Sequence, residues 1–362
     1  MFRLSHILLV GGGHAHLSIL RNLLNETARD FEVTLISSSK YQYYSGMFSG
    51  FTEGLYSEEE IRIDLESLCK KASVSFIEDT IISFDPLQKV LLGFSGGIYN
   101  FDVISFDIGS GINSELTKTI GLNIKPNYQF PDQIKTFRSS EKPVVIGGGS
   151  AGVELALSTL AWRRKKNRNR APVTLISSSP LLDSYGAAAT KKIRGIAKNH
   201  DLRFYENEQV EDVTEDYLLT SNGSRIAYSA ILPVTGPKAS SIFKQALLPI
   251  DKAGFMMVED TLQNHEFPFV FGAGDCVTLA GYEHLPKNGV YAVRQGPVLW
   301  KNIKNYLSRQ SLDRFYPQKK FVSILSTGNQ NGLFTYGGFA VQGKWAWTLK
   351  NMIDKRFMNK HH

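Results

Sequence analysis

The sequence predicts an α/β fold built from two copies of one strand, turn and helix unit, with a small α+β region at the C-terminus. Three observations carry this. The apolar run Ile7 to Val10 enters Gly11-Gly12-Gly13-His14-Ala15-His16, and Leu17, Leu20, Leu23 and Leu24 follow at helical spacing. Val144-Val145-Ile146 enters Gly147-Gly148-Gly149-Ser150-Ala151-Gly152 in the same way, and the heptapeptide VTLISSS at Val33 to Ser39 recurs letter for letter at Val173 to Ser179. A glycine turn between strand and helix lets a dinucleotide pyrophosphate approach the backbone, with N–H groups and the positive helix end facing the phosphates. Gly11 and Gly13 in one copy, and Gly147, Gly149, Ser150 and Gly152 in the other, are the candidate phosphate-cradling residues.

Bulk properties bound the function. A chain of 362 residues exceeds one ordinary core and predicts two or more domains. Hydrophobic content of 42% with 21% charged residues excludes a disordered chain. The formal net charge of +7 favours a polyanionic partner, either a dinucleotide or an anionic membrane face, while the absence of a nucleic-acid-binding motif argues against nucleic acid. Cys69 and Cys276 are too far apart in sequence to form a Cys-x-x-Cys redox pair, which suits a reducing, cytoplasmic compartment. The N-terminal residues lack a signal peptide's apolar core and no run approaches the roughly 18 apolar residues of a spanning helix, so membrane contact is expected to be peripheral, on the inner face.

In chain order, strands are predicted over 32–36 and 74–77, with a helix over 61–71 between them. Short strands over 81–84, 89–92 and 97–101 read as an antiparallel meander, and Val103 to Asp107 reads as a buried strand. The segment 40–54 carries Tyr41, Tyr43, Tyr44, Met47, Phe48 and Phe51, too aromatic for a solvated loop; it lies against something flat or fills core space. Residues 112–138 read as a connector. The second unit follows, with a helix over 151–164, the basic segment Arg163-Arg164-Lys165-Lys166 with Arg168 and Arg170, a strand over 173–176, a helix over 187–198 and a strand over 202–205. Phe269 to Cys276 is a strand entering a glycine turn that carries Asp275, and a helix over 289–305 and a strand over 321–325 follow. A basic amphipathic helix from Lys344 onward ends the chain, with Trp345, Leu349, Met352, Ile353 and Phe357 on one face and Lys344, Lys350, Lys355 and Lys360 on the other.

The order glycine turn, Asp107-Ile108-Gly109-Ser110, second glycine turn, Val234-Thr235-Gly236 and Gly272-Ala273-Gly274-Asp275 resembles the pyridine nucleotide-disulfide oxidoreductase superfamily over nearly the whole chain. The resemblance implies two Rossmann-like domains. An FAD domain over 1–115 and 253–312 would hold an inserted NAD(P)H domain over 138–252, and residues 313–362 would form the C-terminal region. It implies that Gly11 and Gly13 meet the FAD pyrophosphate, that Asp275 beside Gly274 accepts hydrogen bonds from the ribityl chain, and that Asp107 and Gly109, Ser37, His14, Tyr44, Ser45 and Lys287 are further flavin-side candidates. Gly236 belongs to the second site. With no redox cysteine pair, the chain resembles the type II NADH dehydrogenases, NADH:quinone oxidoreductases that need only flavin. GGGHAHL, YYSGM, DIGS, GVYAVRQGPVL and KWAWTLKNMIDKRFM further resemble the flavoprotein domains fused to selenide, water dikinase, although no kinase domain is present.

On that pattern Glu154 lies near the nicotinamide and Gln295 faces flavin and quinone. The implied activity is hydride transfer from NAD(P)H to FAD, with electrons passing to a quinone or similar small acceptor. A non-catalytic flavin-binding regulator and a reductase of a soluble chalcogen or protein acceptor are the alternatives. Two departures stand out. Ser177 occupies the place of the ribose-binding acid, leaving NADH and NADPH open, with the basic segment after residue 162 a candidate for a 2′-phosphate. His16 fills the third glycine position of the first turn, so its ring must either shift the helix or point into the cofactor crevice, where phosphate or flavin contact and proton transfer are open to it. His14 and His16 lack companion ligands, so no metal is expected. The C-terminal helix is either an anchor on anionic membrane or packs on its own body or on a second copy in a homodimer.

Overall fold

The computed structural model describes residues 4–26, 29–112, 121–166 and 172–361; Arg168 and Arg170 of the basic segment lie outside them. The first unit begins with β1 (Ser5–Val10), α1 (His14–Leu23) and β2 (Phe31–Ser37). The short helices α2 (Phe48–Glu53) and α3 (Leu65–Lys71) follow, then β3 (Ser75–Glu78), a meander of β4 (Ile81–Asp85), β5 (Val90–Gly93) and β6 (Ile98–Asn100), and β7 (Val103–Phe106). After helix α4 (Phe130–Ser139), the second unit repeats the succession. It has β8 (Pro143–Ile146), α5 (Ser150–Lys165), β9 (Thr174–Ser177), α6 (Ala187–Asn199), β10 (Arg203–Glu206), a meander of β11 (Val210–Val213), β12 (Tyr217–Thr220) and β13 (Arg225–Ala227), and β14 (Ala230–Pro233).

The chain then returns to the first sheet. Strands β15 (Met256–Val258), β16 (Val270–Gly272) and β17 (Val277–Leu279) precede the long helix α7 (Gly289–Leu307). The first sheet has the order β16, β7, β1, β2, β3, and the second the order β10, β9, β8, β14; both are parallel throughout. Helices cover both faces of such sheets, so the strands are continuous apolar runs, and Ile7, Leu8 and Leu9 are fully buried. The C-terminal α+β region is a three-stranded antiparallel sheet, β18 (Ser323–Gly328), β19 (Asn331–Tyr336) and β20 (Phe339–Gly343), joined to α8 (Lys344–Met358).

Several local expectations change. The aromatic segment 40–54 is a strand at Tyr41–Tyr43 followed by helical turns, and Phe48 stacks on Phe130 with ring centres 3.7 Å apart, so part of it fills core. Ile61 to Lys71 is helical only from Leu65, because Arg62–Asp64 pairs with Tyr41–Tyr43 and Asp64 caps the helix through the Ser67 amide. Residues 130–139 of the connector form α4, whose Phe130, Ile134 and Phe137 are buried.

Helix α8 splits the faces read from the sequence: Phe357 of the apolar face packs inward on Tyr44, while Lys344, Lys355 and Lys360 of the polar face stay exposed. Ala346, Asp354 and Met358 are buried and Lys350 is only 14% exposed, whereas Trp345, Met352 and Ile353 face outward. A Lys350–Asp354 ion pair of 2.8 Å at i,i+4 spacing lies on the docked side of the helix.

Candidate functional site

A cavity of about 480 Å³ opens above the first glycine turn, a size usual for small-molecule sites. Gly11, Gly13, His14, Ser37, Ser45, Asp107, Gly109 and Asp275 all line it. Gly11 holds φ at +92°, and a Cβ there would lie 2.4 Å from the Asp107 carbonyl oxygen, so only glycine fits. The first turn of α1 is capped from across the sheet: the amides of Ala15 and His16 donate to Asp107 Oδ2 at 2.7 and 3.1 Å. Burial pushes the Asp107 carboxyl up to about 7, Asp275 adds to the rise, and the two amides oppose it.

His16 is fully buried and is not part of the cavity wall: of the two outcomes expected for its ring, entry into the cofactor crevice is not the one seen, and the ring lies between α1 and β7. Its Nδ1 lies 2.7 Å from Gly11 O, which can only accept, so Nδ1 carries the proton and Nε2 accepts from Ser105 Oγ at 2.8 Å. Burial lowers its pKa to about 4, keeping it neutral. The contrast with the second unit is direct: a Cβ on Gly152 would sit 1.9 Å from Gly147 O. The third glycine is obligatory there, whereas in the first unit an imidazole bridges α1 to β7.

His14 lies at the cavity wall, with ring centres 5.5 Å from Tyr44 and 5.3 Å from Phe357, and burial with the nearby His361 lowers its pKa to about 4. Tyr44 turns to the C-terminal helix, donating its hydroxyl to Asp354 at 3.0 Å and stacking on Phe357. Asp275 faces Lys125 at 4.0 Å, and Lys125 donates to Ser110 Oγ at 2.6 Å. Gln295 is 5% exposed and accepts from the Gly274 amide at 2.7 Å, bracing the turn that presents Asp275. Lys287 donates to Val277 O and Thr278 Oγ1 instead of reaching the cavity. The buried thiols of Cys69 and Cys276 are both pushed up to about 12 by desolvation, which makes them poor nucleophiles.

In the second cradle Gly147 holds φ at +125° and Gly236 at +108°, while Gly149 caps α5 with Ser150 as its first residue. Ser177 donates to Ser179 O at 2.6 Å. Its register partner on β10, Glu206, accepts from the Leu181 amide and pairs with Arg194 at 2.7 Å.

Of the basic segment, the described residues Arg163, Arg164 and Lys165 do not reach this site, which removes them as candidates for a 2′-phosphate. They lie at the far end of the 16-residue α5, about 24 Å from the cradle at 1.5 Å rise per residue. There Arg163 donates to the carbonyls of Arg138, Ser140 and Glu141, Arg164 to Asp201, and Lys165 to Glu53. Glu154, one turn into α5, accepts from the Ser326 amide at 2.7 Å; burial raises its pKa, with Lys350 opposing. It stands in a charged cluster with Lys350 and Asp354 between α2, α5, β18 and α8.

Lys125, Asp79 and Glu206 escaped the sequence reading, which placed Lys350 only on the polar face of the last helix. Asp79 follows β3, lines the cavity and accepts from Ser95 and Tyr99, anchoring the meander. The usable signal was shared by both units: a serine ends the second strand of each sheet, and an acid ends or follows the neighbouring strand, Glu78-Asp79 in one and Glu206 in the other. Lys350 and Asp354 could have been found as an i,i+4 pair.

Both sites fit the groups that the fold suggests. Each presents a glycine-lined backbone at a helix N-terminus, and the first adds a carboxylate at Asp275 for hydroxyl donors. A type II NADH:quinone oxidoreductase of Staphylococcus saprophyticus is 23% identical to this chain, the match covering 98% of this chain and 95% of that protein. Among solved structures, sulfide:quinone oxidoreductase from Aquifex aeolicus superposes with TM-score 0.82 at 20% identity, covering 99% of this chain and 91% of that one. NDH2 from Plasmodium falciparum, determined with NADH, superposes with TM-score 0.83 at 14% identity, covering 98% and 96%. These two likenesses show the fold, with two Rossmann-like sheets and a smaller C-terminal region. The family model for pyridine nucleotide-disulphide oxidoreductases matches residues 5–296, and the chain belongs to that family.

Proposed function

We propose that the protein is an FAD-dependent NAD(P)H oxidoreductase that passes electrons to a quinone or similar small acceptor. The observation that carries this reading is the pair of cradles in a chain whose two thiols are buried and unreactive, so that no redox disulfide is available. The flavin supplies the hydride and electron chemistry, and the protein supplies binding, orientation and electrostatics.

On this reading residues 1–115 and 253–312 form the FAD domain and 138–252 the NAD(P)H domain. The Gly11 to Gly13 turn and the start of α1 hold the FAD pyrophosphate, with Ser37, His14, Ser45 and Gly109 along the cavity. Asp275 accepts from the ribityl hydroxyls, and Gln295 fixes Gly274 and so acts as a positioning residue. His16 locks α1 to β7. Gly147, Gly149, Ser150, Gly152 and Gly236 hold NAD(P)H, and Glu154 lies near the nicotinamide side. The second reading, a reductase of a soluble chalcogen or protein acceptor, rests on the resemblance of GGGHAHL, YYSGM and DIGS to dikinase-fused flavoproteins.

The test is an anaerobic titration of the purified protein with NADH and NADPH, followed by a menaquinone analogue. Bleaching of the flavin absorbance and its return with quinone are expected. A flavin that neither nucleotide bleaches would leave a binding protein without turnover, and a reduced flavin indifferent to quinone would move the acceptor to the soluble class.

A further inference from the structure

The carboxyl of Asp107 has no place in a plain phosphate cradle. Hydrogen-bond register shows what it replaces: the Asp107 amide donates to Val10 O at 2.9 Å, as the Val234 amide donates to Ile146 O at 2.7 Å. A Cβ on Gly11 would strike the Asp107 carbonyl, and one on Gly147 the Val234 carbonyl. The second cradle therefore has an apolar residue where the first has an acid. That acid occupies the amides of Ala15 and His16, part of the row a helix N-terminus offers to an anion.

A pyrophosphate seated on the Gly11 to Gly13 turn lies against the same row. The groups around Asp107 bring no cation into contact with it among the described residues. On α1, His16 is neutral with both ring nitrogens engaged, and His14 packs on Tyr44 and Phe357. On the turn after β16, Asp275 is a second carboxyl and Cys276 a buried thiol. Lys125 is directed to Asp275 and Ser110, and Lys287 to Val277 and Thr278. An ionised Asp107 would thus face the phosphates as a like charge. Both amides converge on Oδ2, so Oδ1 is the oxygen that accepts neither; it lies 2.5 Å from a Cβ built on Gly274, and both oxygens lie within 2.4 Å of one built on Gly13. Oδ1, which the amides leave unengaged, is therefore the atom assigned the proton and its donation to a phosphate oxygen.

We propose that the first cradle binds its dinucleotide with Asp107 in the acid form, so that binding takes up one proton from solvent and Asp107 sets the pH range over which the cofactor is retained. The proposal rests on the assignment of FAD to this cradle. With burial already holding the free group at about 7, retention weakens through the neutral range.

The experiment dilutes the purified flavin-loaded protein at intervals between pH 6 and 9 and reads free-flavin fluorescence for the dissociation constant. A weakly buffered sample with an indicator dye reads protons released per flavin. The expected result is a dissociation constant rising toward tenfold per pH unit on the alkaline side, with up to one proton released. Asp107→Asn, an uncharged isostere, should be flat within about twofold and release none. A flat wild-type profile, or an Asp107→Asn profile with the wild-type slope, would overturn the proposal. Should Asp107→Asn not fold, the wild-type proton count decides alone, zero being the contrary result. Protein that neither carries nor accepts FAD at any pH would instead overturn the flavin assignment.

Discussion

His16 and Gly152 stand at the same place in two copies of one turn, and the chemistry around them has diverged. Replacing His16 with glycine removes two buried hydrogen bonds and places a glycine inside α1. At about 1 kcal/mol for each hydrogen bond and about 1 for the glycine, a loss near 3 kcal/mol is expected in chemical denaturation. The pH dependence is also fixed in sign. His16 and His14 are held at about 4, while unfolded histidines titrate near 6.5. Between those values the unfolded chain binds more protons, so stability is lost as pH falls from about 6.5 to about 4, by up to about 3 kcal/mol for each ring. Asp107 acts oppositely, since its raised pKa adds stability on acidification from about 7. Melting temperatures of His16→Gln between pH 6.5 and 4 should therefore fall less than those of the wild type; parallel curves would contradict this.

At the scale of elements, the strand, glycine turn and helix of each unit were legible because their signals are local. Apolar runs, glycine spacing and leucine periodicity all lie within about 20 residues. The orientation of α8 was not legible, because it depends on partners about 200 to 310 residues away in the chain. Its apolar side would turn inward by hydropathy alone, yet Lys350 and Asp354 are drawn in by Gly46, Tyr44 and Glu154. Removing one partner of a buried pair leaves the other charge uncompensated. Lys350→Met should cost about 3–5 kcal/mol in urea unfolding, whereas Lys355→Met, at a half-exposed site, should change it by about 0.5 or less. Equal effects would show that the pair does not orient the helix. Segment 40–54 was legible as packed but not in its partners: Phe48 fills the core against Phe130 and Tyr44 meets the C-terminal helix.

For the whole molecule, the outward side of α8 and β20 exposes Trp345, Met352, Ile353, Phe339 and Val341 beside Lys344, Lys355 and Arg356. Among the described residues no helix is long and apolar enough to cross a membrane. An apolar patch ringed by cations suits an anionic bilayer surface. Changing Trp345, Met352 and Ile353 together to glutamate should abolish co-sedimentation with phosphatidylglycerol vesicles while leaving flavin content unchanged. A loss of dimer instead would assign the patch to a second copy.

The larger claim is that two cradles of common design divide the work between two cofactors, one holding FAD and the other delivering NAD(P)H. Gly152 separates them, because a Cβ there meets Gly147 O at 1.9 Å in the second cradle and touches nothing in the first. The most direct measurement is an anaerobic NADH and NADPH titration of Gly152→Ala beside the wild type, following flavin absorbance. The variant should keep its full flavin content and lose bleaching by at least tenfold in nucleotide concentration. Bleaching at wild-type concentrations, or loss of flavin with nucleotide response intact, would contradict the division.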